Sequence, residues 1–277
     1  PLEQLFAYDP PGSVSLGQLG SCEAAFQPAF ETVVLEDRGD YELEQDFAGR
    51  HVLYFKGRRN GFMPEYLDHP VKDMRTWQEN VRWRLDPNSP ERYADLEERM
   101  QHARAEAARG MMISQSLVGG YMYLRSLIGP ANVLYAFYDM PEVIHDCMRA
   151  WLELADRVIA RHQEYVTIDE LLFDEDICYK AGPLISERMM REFLFPYYQQ
   201  LIANVKRRQL DPERHLYIQV DTDGYAVPVI PLYRELGMDA MSPFEVAAGC
   251  DVVEIGRQHP DLAIFGEIGR ASCRERV

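Results

Sequence analysis

The stretch that decides the fold is His215–Glu245, "HLYIQVDTDGYAVPVIPLYRELGMDAMSPFE". It opens with an apolar, β-branched run that stops on two carboxylates, Asp221 and Asp223, and then on Gly224. "VPVIPLYRELG" reads as a short helix closed by Gly237, and "MDAMSPFE" as a second strand. Strand, helix and strand in that order make a parallel βαβ unit. Carboxylates two residues apart on an extended segment point the same way. Like charges held together call for a cation, a proton or a ligand between them.

Working outward, the same alternation recurs. "IDELLFDEDI" leads into "SERMMREFLFPYYQQLIANVKRR", where Ser186 is placed to cap a helix. Upstream, "GMMISQSL" (Gly110–Leu117) precedes a long helical pattern opened by Pro141 and Glu142. Its apolar residues Val143, Ile144, Cys147, Trp151, Leu154 and Val158 recur at helical spacing. Downstream, "DVVEIGRQH" reads as a helix and "DLAIFG" as a strand. This predicts an α/β fold, either a doubly wound sheet or a (β/α) barrel, with its chemistry where strands end. The acids sit at those ends: Asp174, Glu175 and Asp176 after one run, Asp221 and Asp223 after another, Glu245 after a third. His215 precedes its strand, so it belongs to the opposite, structural end. Cys178 and Cys250 read as packing residues.

The first hundred residues differ. "FETVVLEDRGDYELEQDFAGRHVLYFKGR" predicts strands joined at Gly39-Asp40 and Gly49-Arg50, a β excursion in which "GDYELEQDFAG" is a solvated hairpin. A helix, a proline-bounded loop and another helix follow through "HPVKDMRTWQENVRWRLDPNSPERYADLEERM". No repeat or linker interrupts the chain, so 1–266 is expected to form one domain. Residues 267–277, "EIGRASCRERV", break character: they are arginine-rich, have no apolar period, and are encodable by DNA that looks like a sequencing adapter read in frame. They are expected to be a non-native tail.

A net charge of -16 argues against nucleic acid and anionic membrane surfaces as partners. No apolar run approaches the roughly 20 residues of a membrane span. The five cysteines show no paired spacing, which points to a reducing cytoplasm rather than a disulfide framework.

In order and spacing, "LDHPVKDMRTWQENVRWRLDP", "VGGYMYLRSLIGPANVLYAFYDMPEVI", "FDEDICYKAGPLISERMMREFLFPYY" and "VDTDGYAVPVIPLYRELGMDAMSPFEVAAGCDV" resemble the uroporphyrinogen decarboxylase superfamily. The resemblance runs from about Phe30 to Gly266. It implies a (β/α)8 TIM-type barrel, incomplete here because the first and last strands would be missing, with its active site at the C-terminal strand ends. It implies an enzyme acting on a tetrapyrrole as a carboxy-lyase without a cofactor, or on a corrinoid-linked substrate as a methyltransferase with zinc and corrinoid. A corrinoid protein and a homodimer are the partners it suggests. The other reading is that the chain as given is an inactive piece of such an enzyme.

Where the methyltransferase branch carries a zinc-binding His-x-Cys pair, this sequence has Asp221 and Asp223. Two carboxylates suit harder ions or protonated partners better than a thiol-activating zinc, so no metal ligand is assigned. The aspartate that grips pyrrole NH groups in the decarboxylase branch is answered only loosely, by Asp37. A tyrosine in the loop after "ISQSL" carries over as Tyr121, with Tyr123 the alternative. The expected catalytic residues are therefore Asp221, Asp223, Glu175, Asp176 and Tyr121, with Tyr123, Glu245 and Arg125 binding substrate.

Overall fold

The computed structural model describes residues 12–58 and 63–266; the 267–277 tail lies outside them. Strands are numbered along the chain: β1 (Ser13–Ser15), β2 (Val33–Arg38), β3 (Tyr41–Gln45), β4 (His51–Phe55), β5 (Glu65–Asp68), β6 (Met112–Val118), β7 (Glu170–Asp174), β8 (Cys178–Tyr179), β9 (Gly182–Pro183), β10 (Tyr217–Asp221), β11 (Ala240–Ser242) and β12 (Ala263–Ile264). Six of them form a wholly parallel sheet in the order β1-β6-β7-β10-β11-β12. Each strand lies beside its predecessor in that set, so the chain winds in one direction without the reversal that defines a doubly wound sheet.

The pleat explains the sheet's two faces. Ile113, Leu117, Leu171, Phe173, Ile218, Val220 and Met241 are buried. They meet helices Gly120–Ile128, Pro141–Gln163 and Phe195–Arg208 in one contiguous core. Phe173 sits 6.4 Å from Trp151 and 5.0 Å from Tyr198, ring centroid to ring centroid. The alternate positions Ser116, Leu172, Asp174, Gln219 and Asp221 are only half-buried. A parallel sheet with helices on both faces reads as nearly continuous hydrophobic runs. This one is apolar on the helix side and mostly polar on the other.

Sequence-level helix signals correspond to observed caps. Ser186 Oγ accepts from Met189 N at 3.3 Å, Asp251 caps Val252–Gln258, and Pro141 opens its helix. Two features differ from expectation. "GGYMYLRSLI", read as a loop, is the helix Gly120–Ile128. β1 is a further parallel strand, three residues long, too short for an apolar period to reveal.

β2 to β5 form a separate antiparallel sheet, as the excursion required. Its hairpin is not solvated throughout, because Asp46 is buried and accepts from Ala48 N, Arg50 N and Arg50 Nε. Arg50 also reaches Glu23 at 2.9 Å, which ties this sheet to the segment after β1. Asp37 lies exposed in β2 against Lys56, in the antiparallel sheet and not at the end of a parallel strand.

At the N-terminal edge of the parallel sheet, two aspartates act as staples. Asp169, just before β7, accepts from Ile113 N at 2.7 Å and pairs with Arg214 at 2.8 Å. Asp239, just before β11, accepts from Ile218 N at 2.9 Å and pairs with His215 at 3.0 Å. Their carbonyls accept from the next strand along, from Tyr217 N and Ala263 N. Asp169 is almost fully buried, so Asp169→Ala leaves the Ile113 amide without its acceptor. It is expected to cost about 1–3 kcal/mol in denaturant unfolding, with the titration of residues at the opposite end of the sheet unchanged.

Candidate functional site

In-register pairing aligns the last residues of four strands. Val118 pairs with Asp174, Asp174 with Asp221, and Asp221 with Ser242. Neighbouring strands are about 4.8 Å apart, so Asp174 and Asp221 stand side by side on the polar face. Ser242 Oγ donates to Asp221 Oδ2 at 2.8 Å, and Gln219 Nε2 donates to Ser242 Oγ at 3.1 Å. Ser21 hydrogen-bonds Asp174.

Both carboxyls hold their protons above the usual aspartate range. Burial is the main cause at each. Asp221 is also raised by Asp174, then Asp223, then Asp176, against the lowering effect of Ser242. The chief like-charge neighbour of Asp221 is thus Asp174 across the strand pair, not Asp223 along the chain. β10 ends at Asp221, and Thr222 turns inward to accept from Ile177 N and Cys178 N at 3.1 Å. The i, i+2 argument for Asp221 and Asp223 therefore does not extend past the strand, although their charges still interact.

Asp176 contributes to the same cup. Its φ of 43° is a left-handed conformation that a non-glycine residue adopts only when held there. Its amide donates to Asp221 O at 3.2 Å, and its carboxylate meets Arg125 Nη2 at 2.6 Å. Cys22, exposed after β1, lies within the influence of Glu23, Asp174 and Asp176. Burial first, and those acids next, push its thiol up. Glu245 braces the rim by accepting from Gly224 N at 2.8 Å. Gly224 has φ 84° and a Cβ there would stand 2.7 Å from the Tyr179 backbone, so the residue must be glycine.

Glu175 is different in kind. It is fully buried, on the helix side of the strand end. Tyr121 N donates to Oε1 at 2.9 Å and the Tyr198 hydroxyl donates to Oε2. The Tyr198 oxygen in turn accepts from Gly120 N at 2.5 Å. Burial lifts Glu175 from 4.5 to about 7, with the hydrogen bonds from Tyr198 and Tyr121 opposing. Tyr121 lies in the first turn of its helix, not in a loop; burial pushes its phenol up to about 12, so it is a proton donor rather than a base. Tyr123 is also buried and its hydroxyl donates to Cys147 O at 3.2 Å among the helices, which separates it from the cup.

The cup thus brings together Asp221, Asp223, Asp176 and Arg125, with Glu245 at the rim and Tyr121 behind. Asp174 is the residue that sequence reasoning left out of the site set. The signal was present: with Phe173 facing the core, the pleat sends Asp174 to the opposite face and Glu175 back toward the helices.

The donor set does not fit a thiol-activating zinc. Among the described residues, no three His, Cys, Asp or Glu side chains stand together so as to hold a metal ion. The nearby thiols are turned inward: Cys178 is pushed up to about 12, chiefly by burial, and Cys250 Sγ donates to Gly224 O at 3.5 Å. Among the described residues, no helix is long and apolar enough to cross a membrane.

What the molecule defines is an α/β protein with a parallel six-stranded sheet and an acidic cup at its C-terminal strand ends. No protein-family model matches the chain, and no curated protein matches it. Among solved structures, it is similar to a methyltransferase from Methanosarcina mazei, at 12% identity and a TM-score of 0.46, over 75% of this chain and 67% of that one.

Glu175 supplies a pH test. A carboxyl raised from 4.5 to about 7 on folding stabilises fully below 4.5. That contribution is lost as pH rises through 7, by up to about 3 kcal/mol. Urea unfolding across this range should show wild type losing stability relative to Glu175→Gln as pH rises. A constant difference would mean that Glu175 does not titrate there.

Proposed function

We propose that this chain is, or belongs to, an acid–base enzyme of the uroporphyrinogen decarboxylase-like kind. In it, the strand ends of a (β/α)8 barrel cup a tetrapyrrole. The observation that carries the reading is the cross-strand pair Asp174–Asp221, raised together on the polar face of the sheet. Burial raises both, and the like charge of Asp174 raises Asp221 further, so Asp221 is the carboxyl of the pair that keeps its proton. The protonated partner is a general acid, and the ionised one accepts hydrogen bonds from pyrrole N–H groups and stabilises positive charge.

Decarboxylation uses both properties. A proton added to a ring α-carbon makes the pyrrole cationic. The ring then takes the electron pair of the carbon–carbon bond as carbon dioxide leaves. A second proton, supplied by water, goes to the exocyclic carbon, the first returns from the ring α-carbon to the cup, and a methyl group remains. Asp221 and Asp174 are assigned the proton and the charge, with Asp223 and Asp176 adding negative potential. Arg125 and the Tyr121 phenol border the same space. One-directional strand winding supports the barrel, and the polar sheet face supports an interior that takes a ligand.

Calorimetric titration with uroporphyrinogen tests this reading. Wild type is expected to bind, and Asp221→Asn to bind at least about tenfold more weakly, a loss near 1.4 kcal/mol. The wild-type signal should fade as pH rises and Asp221 loses its proton. Zinc uptake together with binding of a methylated corrinoid would instead assign the protein to methyl transfer, with a corrinoid protein as partner.

A further inference from the structure

Glu175 lies between two carboxylates of the cup, Asp174 and Asp176, yet faces away from it. Four elements meet at its carboxyl. It directly follows β7; Tyr121 N, from the first turn of helix Gly120–Ile128, donates to one oxygen; Tyr198, from helix Phe195–Arg208, donates to the other. The Tyr233 hydroxyl, from helix Ile230–Arg234, is buried beside it without forming a hydrogen bond of good geometry. The contacts leave no slack. A Cβ at Gly119 would stand 2.6 Å from both Glu175 Cα and Oε2, and one at Gly120 would stand 2.8 Å from the Tyr198 hydroxyl. The helix therefore starts flush against this side chain.

That helix carries Arg125, one turn beyond Tyr121, and Arg125 holds Asp176, the residue next to Glu175. Asp176 keeps its left-handed φ of 43° between this ion pair and its bond to Asp221 O. The position of the helix start thus sets where Arg125 stands, and Arg125 sets which carboxylates of the cup carry a cation.

We propose that Glu175 is the positioning residue of the cup: by clamping the first turn of helix Gly120–Ile128 and Tyr198 to the end of β7, it fixes Arg125 on Asp176 and leaves Asp174 and Asp221 as the pair facing a ligand. The ligand part rests on the function proposed above, whereas the clamp does not. The groups around the carboxyl are Tyr121, Tyr198, Tyr233, Cys178 and Asp176, and none is a cation. Its oxygens are therefore committed to the hydroxyl and amide donors named.

The test uses Glu175→Ala, Glu175→Gln and Tyr198→Phe in the whole chain. One readout is the set of Arg125 Nη signals in nitrogen-15 NMR, which a held ion pair keeps from averaging. The other is amide exchange at Gly120 and Tyr121. In Glu175→Ala the Arg125 signals should collapse and exchange should rise at least about tenfold, while exchange at Val220 in the sheet is unchanged. Glu175→Gln, which keeps an acceptor, should restore most of both. Arg125 signals and local exchange that match wild type in Glu175→Ala would overturn the proposal. Should that variant fail to fold, Tyr198→Phe removes only the hydroxyl; faster exchange at Gly120 would support the clamp and unchanged exchange would overturn it. With uroporphyrinogen as probe, Glu175→Ala should also bind about tenfold more weakly. Absence of binding by wild type would count against the function reading alone, since both NMR readouts need no ligand.

Discussion

The register of four neighbouring parallel strands is the constraint on which the rest depends. Because Val118, Asp174, Asp221 and Ser242 fall in one row, the two aspartates are forced together by backbone hydrogen bonding, whatever their charges prefer. A slip of one residue would send both to the opposite face, under the helices. The staples at the other edge, Asp169 on Ile113 N and Asp239 on Ile218 N, hold that register from below. Stability is thus concentrated at one end of the sheet and titratable strain at the other, the division of labour expected of β/α architectures.

Two kinds of carboxyl follow from a single stretch of chain. Asp174, Glu175 and Asp176 are consecutive, yet the pleat and the left-handed Asp176 send them to three surroundings: a half-open polar face, a dry pocket of tyrosines, and an arginine. Burial raises both Asp174 and Glu175. Only Asp174 has a carboxylate for a cross-strand neighbour, and only it lies where a ligand could meet it. Glu175 has what organises a site rather than what performs its chemistry.

Much of the parallel sheet was legible because each strand carries an apolar stripe and each helix a 3.6-residue period. Pro141 and Ser186 marked helix starts that the structure keeps, whereas the helix expected to close at Gly237 stops at Arg234 and a turn runs on to that glycine. The rest was hidden for identifiable reasons. Gly119 and Gly120 read as loop residues, whereas they are glycines because Glu175 and Tyr198 approach too closely for a side chain. β1 spans three residues and owes its place to pairing with β6. In the site, the acidic stretches stand at strand ends, but a run of acids such as "FDED" does not show by itself that the pleat turns Glu175 toward the helices and Asp174 to the polar face. The pairing of Asp221 with Asp174 depends on a register between segments about 47 residues apart, which no local pattern encodes.

The most direct measurement is a carbon-13 NMR titration of the Asp174 and Asp221 carboxyls, in wild type and in Asp174→Asn. The account predicts that both titrate above the ordinary aspartate range in wild type, and that Asp221 moves back toward that range once its neighbour is a neutral amide. Two ordinary, independent titrations, with Asp221 unmoved in the variant, would contradict it.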